Sequence, residues 1–184
     1  MSEASDASPP PDASPPPPTA QEVALAWVEA VMDEGDLRAA WPLTDPTLRL
    51  VLAQDWVWTH RHDPAIGHDT DWEALAHGLA AHPSEHALWE RFAGDVVTLW
   101  QKIWKGFSAR TWQPWDEPEI LSLDLEMVTF VETGGEPVAT RPRPSGFSRR
   151  FALRHGPSGW MIASVNGDQM FVPGWPPTME QHTG

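Results

Sequence analysis

Asp124 and Glu126 stand two residues apart in an alternating stretch. On a strand that spacing puts both carboxyls on one face, where a shared proton would allow acid–base work. Arg150 and Arg154 share a face of the next alternating stretch, so plain cross-strand ion pairs are the simpler account of all four charges. A second supply of chemistry is the run His60, His62, Asp63, His68 and Asp69. These are metal-ligand types, but a zinc site needs three or four of them to converge, and their spacing matches no metal motif. A polar loop of solvated side chains explains them more simply, and no metal or cofactor is expected. His60 and Asp124 remain candidates for acid–base catalysis.

The third group is aromatic. The chain holds 12 Trp and no Tyr. Trp27, Trp56, Trp58, Trp89, Trp100, Trp104 and Trp160 are the candidates for the wall of a ligand cavity. Indoles bury large areas and hold flat apolar molecules, or cations over the ring face. Core packing accounts at least as well for Trp at helical spacing and is the simpler reading of each one. Asp55, next to Trp56, is the first acid to suspect in such a pocket. There is no Gly-x-Ser-x-Gly elbow, no Walker A loop and no Gly-x-Gly-x-x-Gly, so nucleophilic hydrolase and nucleotide readings have no support.

These side chains need a scaffold. Residues 84–107 carry Leu88, Phe92, Val96, Leu99, Trp100, Ile103, Trp104 and Phe107 at steps of three and four, which predicts a helix of about six turns. Ser84 suits its N-cap, Glu85 its positive end, and Lys102 and Lys105 its negative end. Earlier, Thr19 and Glu22 form a capping box ahead of an amphipathic helix with Val23, Ala26, Trp27, Ala30 and Val31 inward, ending at Gly35. Asp36 caps a short helix that Pro42 stops. Asp45 and Pro46 read as N-cap and N1 of a third, burying Leu48, Val51 and Leu52, with a strand over 48–58 as the alternative. Asp71 caps a fourth, with Trp72, Leu75 and Leu79 inward; residues 59–71 between them are a loop.

From Glu119 the period changes to two. Residues 119–133 read as one strand, with Leu121, Leu123, Leu125, Met127 and Val131 on one face, the cover for the long helix. Residues 147–155 and 160–165 read as two more strands, joined by Gly156–Gly159. Gln169–Val172 reads as a short return strand after the Asn166–Gly167 turn. Helices followed by an antiparallel meander give an α+β fold, with N-terminal helices packed on a curved antiparallel sheet of three to five strands. Residues 1–18 hold seven Pro and read as a disordered tail; residues 19–175 form one domain and 176–184 a loose C-terminus.

Charge excludes one class of partner. The formal net charge is −14, with 7 basic and 23 acidic side chains in residues 1–133 against 5 basic and 3 acidic in residues 134–184. Such a surface does not suit nucleic-acid phosphates. No apolar run is long enough for a membrane span. The absence of Cys and of a secretory leader fits a cytoplasmic protein.

The opening VALAWVEAVMDEGDLRAAWPLTDP and the closing GFSRRFALRHGPSGWMIASVNG resemble the NTF2-like superfamily, in its SnoaL-like branch. The resemblance covers about a quarter of the chain. It implies a curved sheet wrapped round the first helices and enclosing a conical cavity. Members include ketosteroid isomerases, scytalone dehydratases, limonene-epoxide hydrolases and polyketide cyclases, and many non-catalytic binding or dimerisation domains. The isomerases and scytalone dehydratase use a Tyr, which this chain lacks. The expected function is therefore a non-catalytic domain binding a small apolar or aromatic molecule, or a protein, in a Trp-lined cone. The alternatives are an enzyme with an Asp/His acid–base pair and a homodimer joined through its sheet face.

Overall fold

The computed structural model describes residues 15–67, 70–81, 85–115, 117–134, 148–167 and 169–177. Residues 1–14 of the expected 1–18 tail lie outside these residues, as do His68, Asp69, Ser84, Phe147 and residues 135–146. Among these residues, five α-helices lie against a curved antiparallel sheet of five strands, an α+β fold.

Helix α1 spans Ala20–Val28 and begins as its sequence dictates. The Thr19 N–H and hydroxyl both donate to Glu22, at 2.7 and 2.9 Å, while the Glu22 N–H donates back to the Thr19 hydroxyl. This box holds the Glu22 carboxyl below the usual carboxylate range, first through the Thr19 backbone N–H and then through its hydroxyl. A π-helical turn, Glu29–Asp33, continues α1. Gly35, at φ +69°, then lets the Asp36 N–H reach back to the Ala30 carbonyl at 2.7 Å, closing the helix end.

Helix α2 is one turn, Leu37–Ala40, capped by Asp36 on the Ala39 N–H and followed by a 3₁₀ turn over Trp41–Leu43. Helix α3 runs Pro46–Thr59, with Asp45 capping the Thr47 N–H at 2.8 Å. It settles residues 48–58 as helix. Helix α4, Trp72–Ala81, starts where the Asp71 carboxylate takes the Ala74 N–H at 3.0 Å.

Helix α5 spans Trp89–Ile103 and is shorter than its apolar period predicts. Trp104 leaves helical geometry at φ −108°, ψ 44°, and Gly106 turns at φ +83°. That turn swings Trp104 and Phe107 onto the sheet. The expected apolar face also divides: Trp100 and Trp104 are buried, whereas Leu99 and Ile103, on α5 itself, are 50% and 57% exposed.

The sheet departs from expectation in four places. Residues 119–133 are two strands, β2 (Glu119–Ser122) and β3 (Leu125–Glu132), folded back through Leu123 and Asp124. The Ser122 hydroxyl donates to Asp124 at 2.7 Å and the Asp124 carbonyl accepts the His155 N–H, so the tip is a built turn. Leu121 and Leu123 are consequently exposed, not a cover for α5. Strand β1, Trp112–Pro114, lies between the long helix and Glu119, where no strand is expected. It pairs with the C-terminal half of β3 while β2 pairs with the N-terminal half, both along the same edge. Last, Gln169–Val172 forms no strand; the Gln169 carbonyl accepts from the Ser164 hydroxyl instead.

Strands β4 (Ser148–Gly156) and β5 (Gly159–Ser164) complete the antiparallel order β1–β3–β4–β5. Thr44 adds a parallel bridge to Ile162 at the open edge. One sheet face presents Val128, Phe130, Phe151, Leu153 and Ile162 to the helices, all fully buried. Trp27, Trp104 and Phe107 fill the space above them: Phe151 meets Trp27 and Trp104 at 5.7 Å each and Phe107 at 6.0 Å. The space between this face of the sheet and the helices is packed with rings. No helix among the described residues is long and apolar enough to cross a membrane.

Candidate functional site

The open space lies on the other side of Trp100. A groove runs between α3 and α5 in two lobes of about 250 and 260 Å³, which share Leu52, Asp55, Leu99 and Trp100. The first lobe adds Trp56, His60, Asp95 and Val96; the second adds Leu48, Ile103, Trp104 and, from the chain after β5, Val165, Asn166 and Phe171.

The polar end of the groove is built by the end of α3. The last carbonyls of a helix have no partner within it, and cationic or N–H-bearing side chains satisfy them well. Here His60 and Arg61 fold back. His60 Nδ1 lies 2.8 Å from the Trp56 carbonyl, and Arg61 donates to the Trp58 carbonyl at 2.5 Å. A carbonyl only accepts, so His60 Nδ1 carries a proton. In the neutral imidazole Nε2 is then the acceptor. Nε2 faces Asp95 of α5, 3.6 Å from its Oδ2. The same Oδ2 accepts the Trp56 indole N–H at 3.0 Å. His60 stacks on Trp56, with centroids 4.6 Å apart and planes 29° off parallel.

Behind this cluster, Arg91 of α5 pairs with Asp63 and lies 5.9 Å from the Trp56 ring. The hydrogen bond from Arg91 holds the Asp63 carboxyl below its usual range, helped by the Ala65 N–H at 2.8 Å; the same pairing raises Arg91. This tie fastens the loop after α3 to the start of α5.

The structure thus brings together Asp55, His60, Trp56, Trp100 and Trp104. The other candidates lie elsewhere. Trp27 is fully buried, packs on Trp100 at 5.0 Å and donates its N–H to the Thr44 hydroxyl at 3.0 Å. Trp89 packs in the core against Trp41 and Phe92. Trp58 sits between Trp72 and Trp175 under the Arg61 guanidinium, 4.3 Å away. Trp160 meets His155 at the β4–β5 hairpin.

Asp124 is in the exposed turn between β2 and β3, so it and Glu126 do not form a paired-carboxylate site. The expected cross-strand ion pairs are also redistributed. Arg150 reaches Glu119 at 2.7 Å and Arg154 reaches the N-cap Asp45 at 3.2 Å, because the β3–β4 register sets Glu126 opposite Leu153, on the other face of the sheet from both arginines. Among the described residues no three of His, Asp and Glu converge to hold a metal ion.

Sequence reasoning missed Asp95, Leu52 and Phe171 as lining residues. Asp95 left a signal: Phe92, Asp95 and Leu99 stand at i, i+3 and i+7, an acid set within an apolar stripe. Phe171 left none. Comparison with protein-family models, curated proteins and solved structures finds no match.

Proposed function

We propose that this chain is a non-catalytic domain of the NTF2-like kind that binds a small apolar or aromatic molecule in the groove between α3 and α5. One observation carries the reading. Helix α5 buries Trp89, Phe92 and Trp100 on one side yet leaves Leu99 and Ile103 half-exposed over a cavity walled by indoles. Apolar side chains kept at the lip of a formed cavity mark a binding surface rather than unused core. The His60–Asp95 pair stands at the rim, with the Asp95 side chain 46% exposed. General acid–base work gains most where water is excluded, and the rim position favours recognition. Calorimetric titration with 1-naphthalenemethanol tests the reading. Saturable binding that Leu99→Ser weakens about tenfold is expected, the size of losing one buried aliphatic contact. Absence of binding, or indifference to Leu99→Ser, overturns it.

A second reading rests on a specific contact. His60 Nε2 as acceptor, Asp95 beside it and Asp55 along the same groove are the parts of an acid–base enzyme, such as a dehydratase, isomerase, cyclase or epoxide hydrolase. Hydrolysis of styrene oxide by the wild-type chain, abolished in His60→Gln, would establish that reading over the first. Equal rates in the wild type, His60→Gln and buffer are what the binding reading predicts.

A further inference from the structure

Resting on the groove as a ligand site, we propose that its occupant is a small organic cation, a protonated amine carried on a flat apolar body. Among the described residues, the charged and titratable side chains lining the two lobes are Asp55, His60 and Asp95, with no Lys or Arg. Asp95 Oδ2 and His60 Nε2 stand 3.6 Å apart at one end. With Nδ1–H on the Trp56 carbonyl, the neutral form of His60 has only an acceptor, Nε2, to turn toward Asp95, and in that form two acceptors face each other across the gap.

An ammonium group fits that gap. Its several N–H donors serve both acceptors at once and its charge meets the carboxylate. A hydroxyl has one proton and serves one acceptor. A carboxylate or phosphate has none and is repelled. Asp55, shared by the two lobes, adds a second negative charge along the groove. The apolar body then lies along Leu52, Leu99 and the Trp100 ring. The formal net charge of −14 draws cations toward the surface before contact.

The test uses two probes with the same ring. 1-Naphthalenemethylamine is a cation at pH 7.5; 1-naphthalenemethanol is neutral. Titrated calorimetrically into the full chain at low salt, the amine should bind about tenfold tighter than the alcohol, an advantage that shrinks as salt is added. Asp95→Asn should bring the amine to within about twofold of the alcohol and leave the alcohol unchanged, and Asp55→Asn should act in the same direction. Circular dichroism confirms that each variant is folded. Equal affinity for the two probes overturns the cation proposal and leaves the groove as an apolar site. Binding of neither probe overturns the groove reading itself. Tighter amine binding that both Asp variants leave intact places the cation elsewhere and overturns the proposal.

Discussion

Trp100 has two sides, and they face different kinds of region. On one side it meets Trp27 at 5.0 Å, within a filled aromatic interior that continues through Phe151 to Phe107 and Phe130. On the other it walls the groove between α3 and α5, where Leu99 and Ile103 stand half-exposed beside Asp55 and Asp95. In the interior, apolar rings meet rings and the Trp27 N–H has a hydroxyl partner. In the groove, an indole N–H goes to the Asp95 carboxylate, whose second neighbour is the His60 imidazole. The difference teaches that Trp richness alone does not make a pocket. The interior spends its indoles on stability, while the groove combines apolar walls with polar atoms aimed at space.

The two regions should therefore separate under mutation. Trp27→Ala is expected to have the largest effect, about 3–5 kcal/mol off the unfolding free energy in urea, as for other large-to-small core changes. A loss below about 1 kcal/mol would mean that the interior is not tightly packed. Thr44→Val should follow at about 1–3 kcal/mol. Thr44 is fully buried, donates to the Ala40 carbonyl at 2.9 Å and accepts the Trp27 N–H, which the variant leaves unsatisfied. Leu99→Ser should cost less than about 0.5 kcal/mol in the same urea experiment, since the side chain is already half in water. A large loss there would make Leu99 core and erase the contrast.

The smallest effect concerns the edge of the groove. The Arg91 hydrogen bond and the Ala65 N–H favour ionised Asp63 in the folded state, so its pKa lies below the unfolded value. Its contribution is then present above the ordinary carboxylate range and is lost as pH falls through the folded value. Asp63→Asn should flatten the acid limb of thermal stability slightly and leave the limb above neutrality unchanged. An unaltered acid limb would show that the tie does not hold the loop.

What could be read in advance follows from how local each signal is. The caps at Thr19, Asp36, Asp45 and Asp71 are short-range hydrogen bonds written in adjacent residues, and each starts a helix where expected. The helix over 48–58 was ambiguous because its apolar residues fit either period, and Asp45–Pro46 proved the better guide. The β2–β3 hairpin was illegible because the sequence keeps alternating through the turn at Leu123 and Asp124. At the site, Asp55, His60 and the three groove indoles were legible as chemical types. Their convergence with Asp95 was not, since it depends on how α5 crosses α3, a tertiary fact with no local code. The same crossing sends Trp27 and Trp89 inward and leaves Trp56 at the groove.

The most direct measurement is the indole region of a ¹H–¹⁵N spectrum of the labelled chain, titrated with 1-naphthalenemethanol. The indole signals of Trp56, Trp100 and Trp104 should move with one common saturation curve while those of Trp41 and Trp89, packed at 5.0 Å in the core, stay in place. Movement of Trp41 and Trp89 with the groove indoles still, or no movement at all, would contradict the division between a filled interior and a receptive groove.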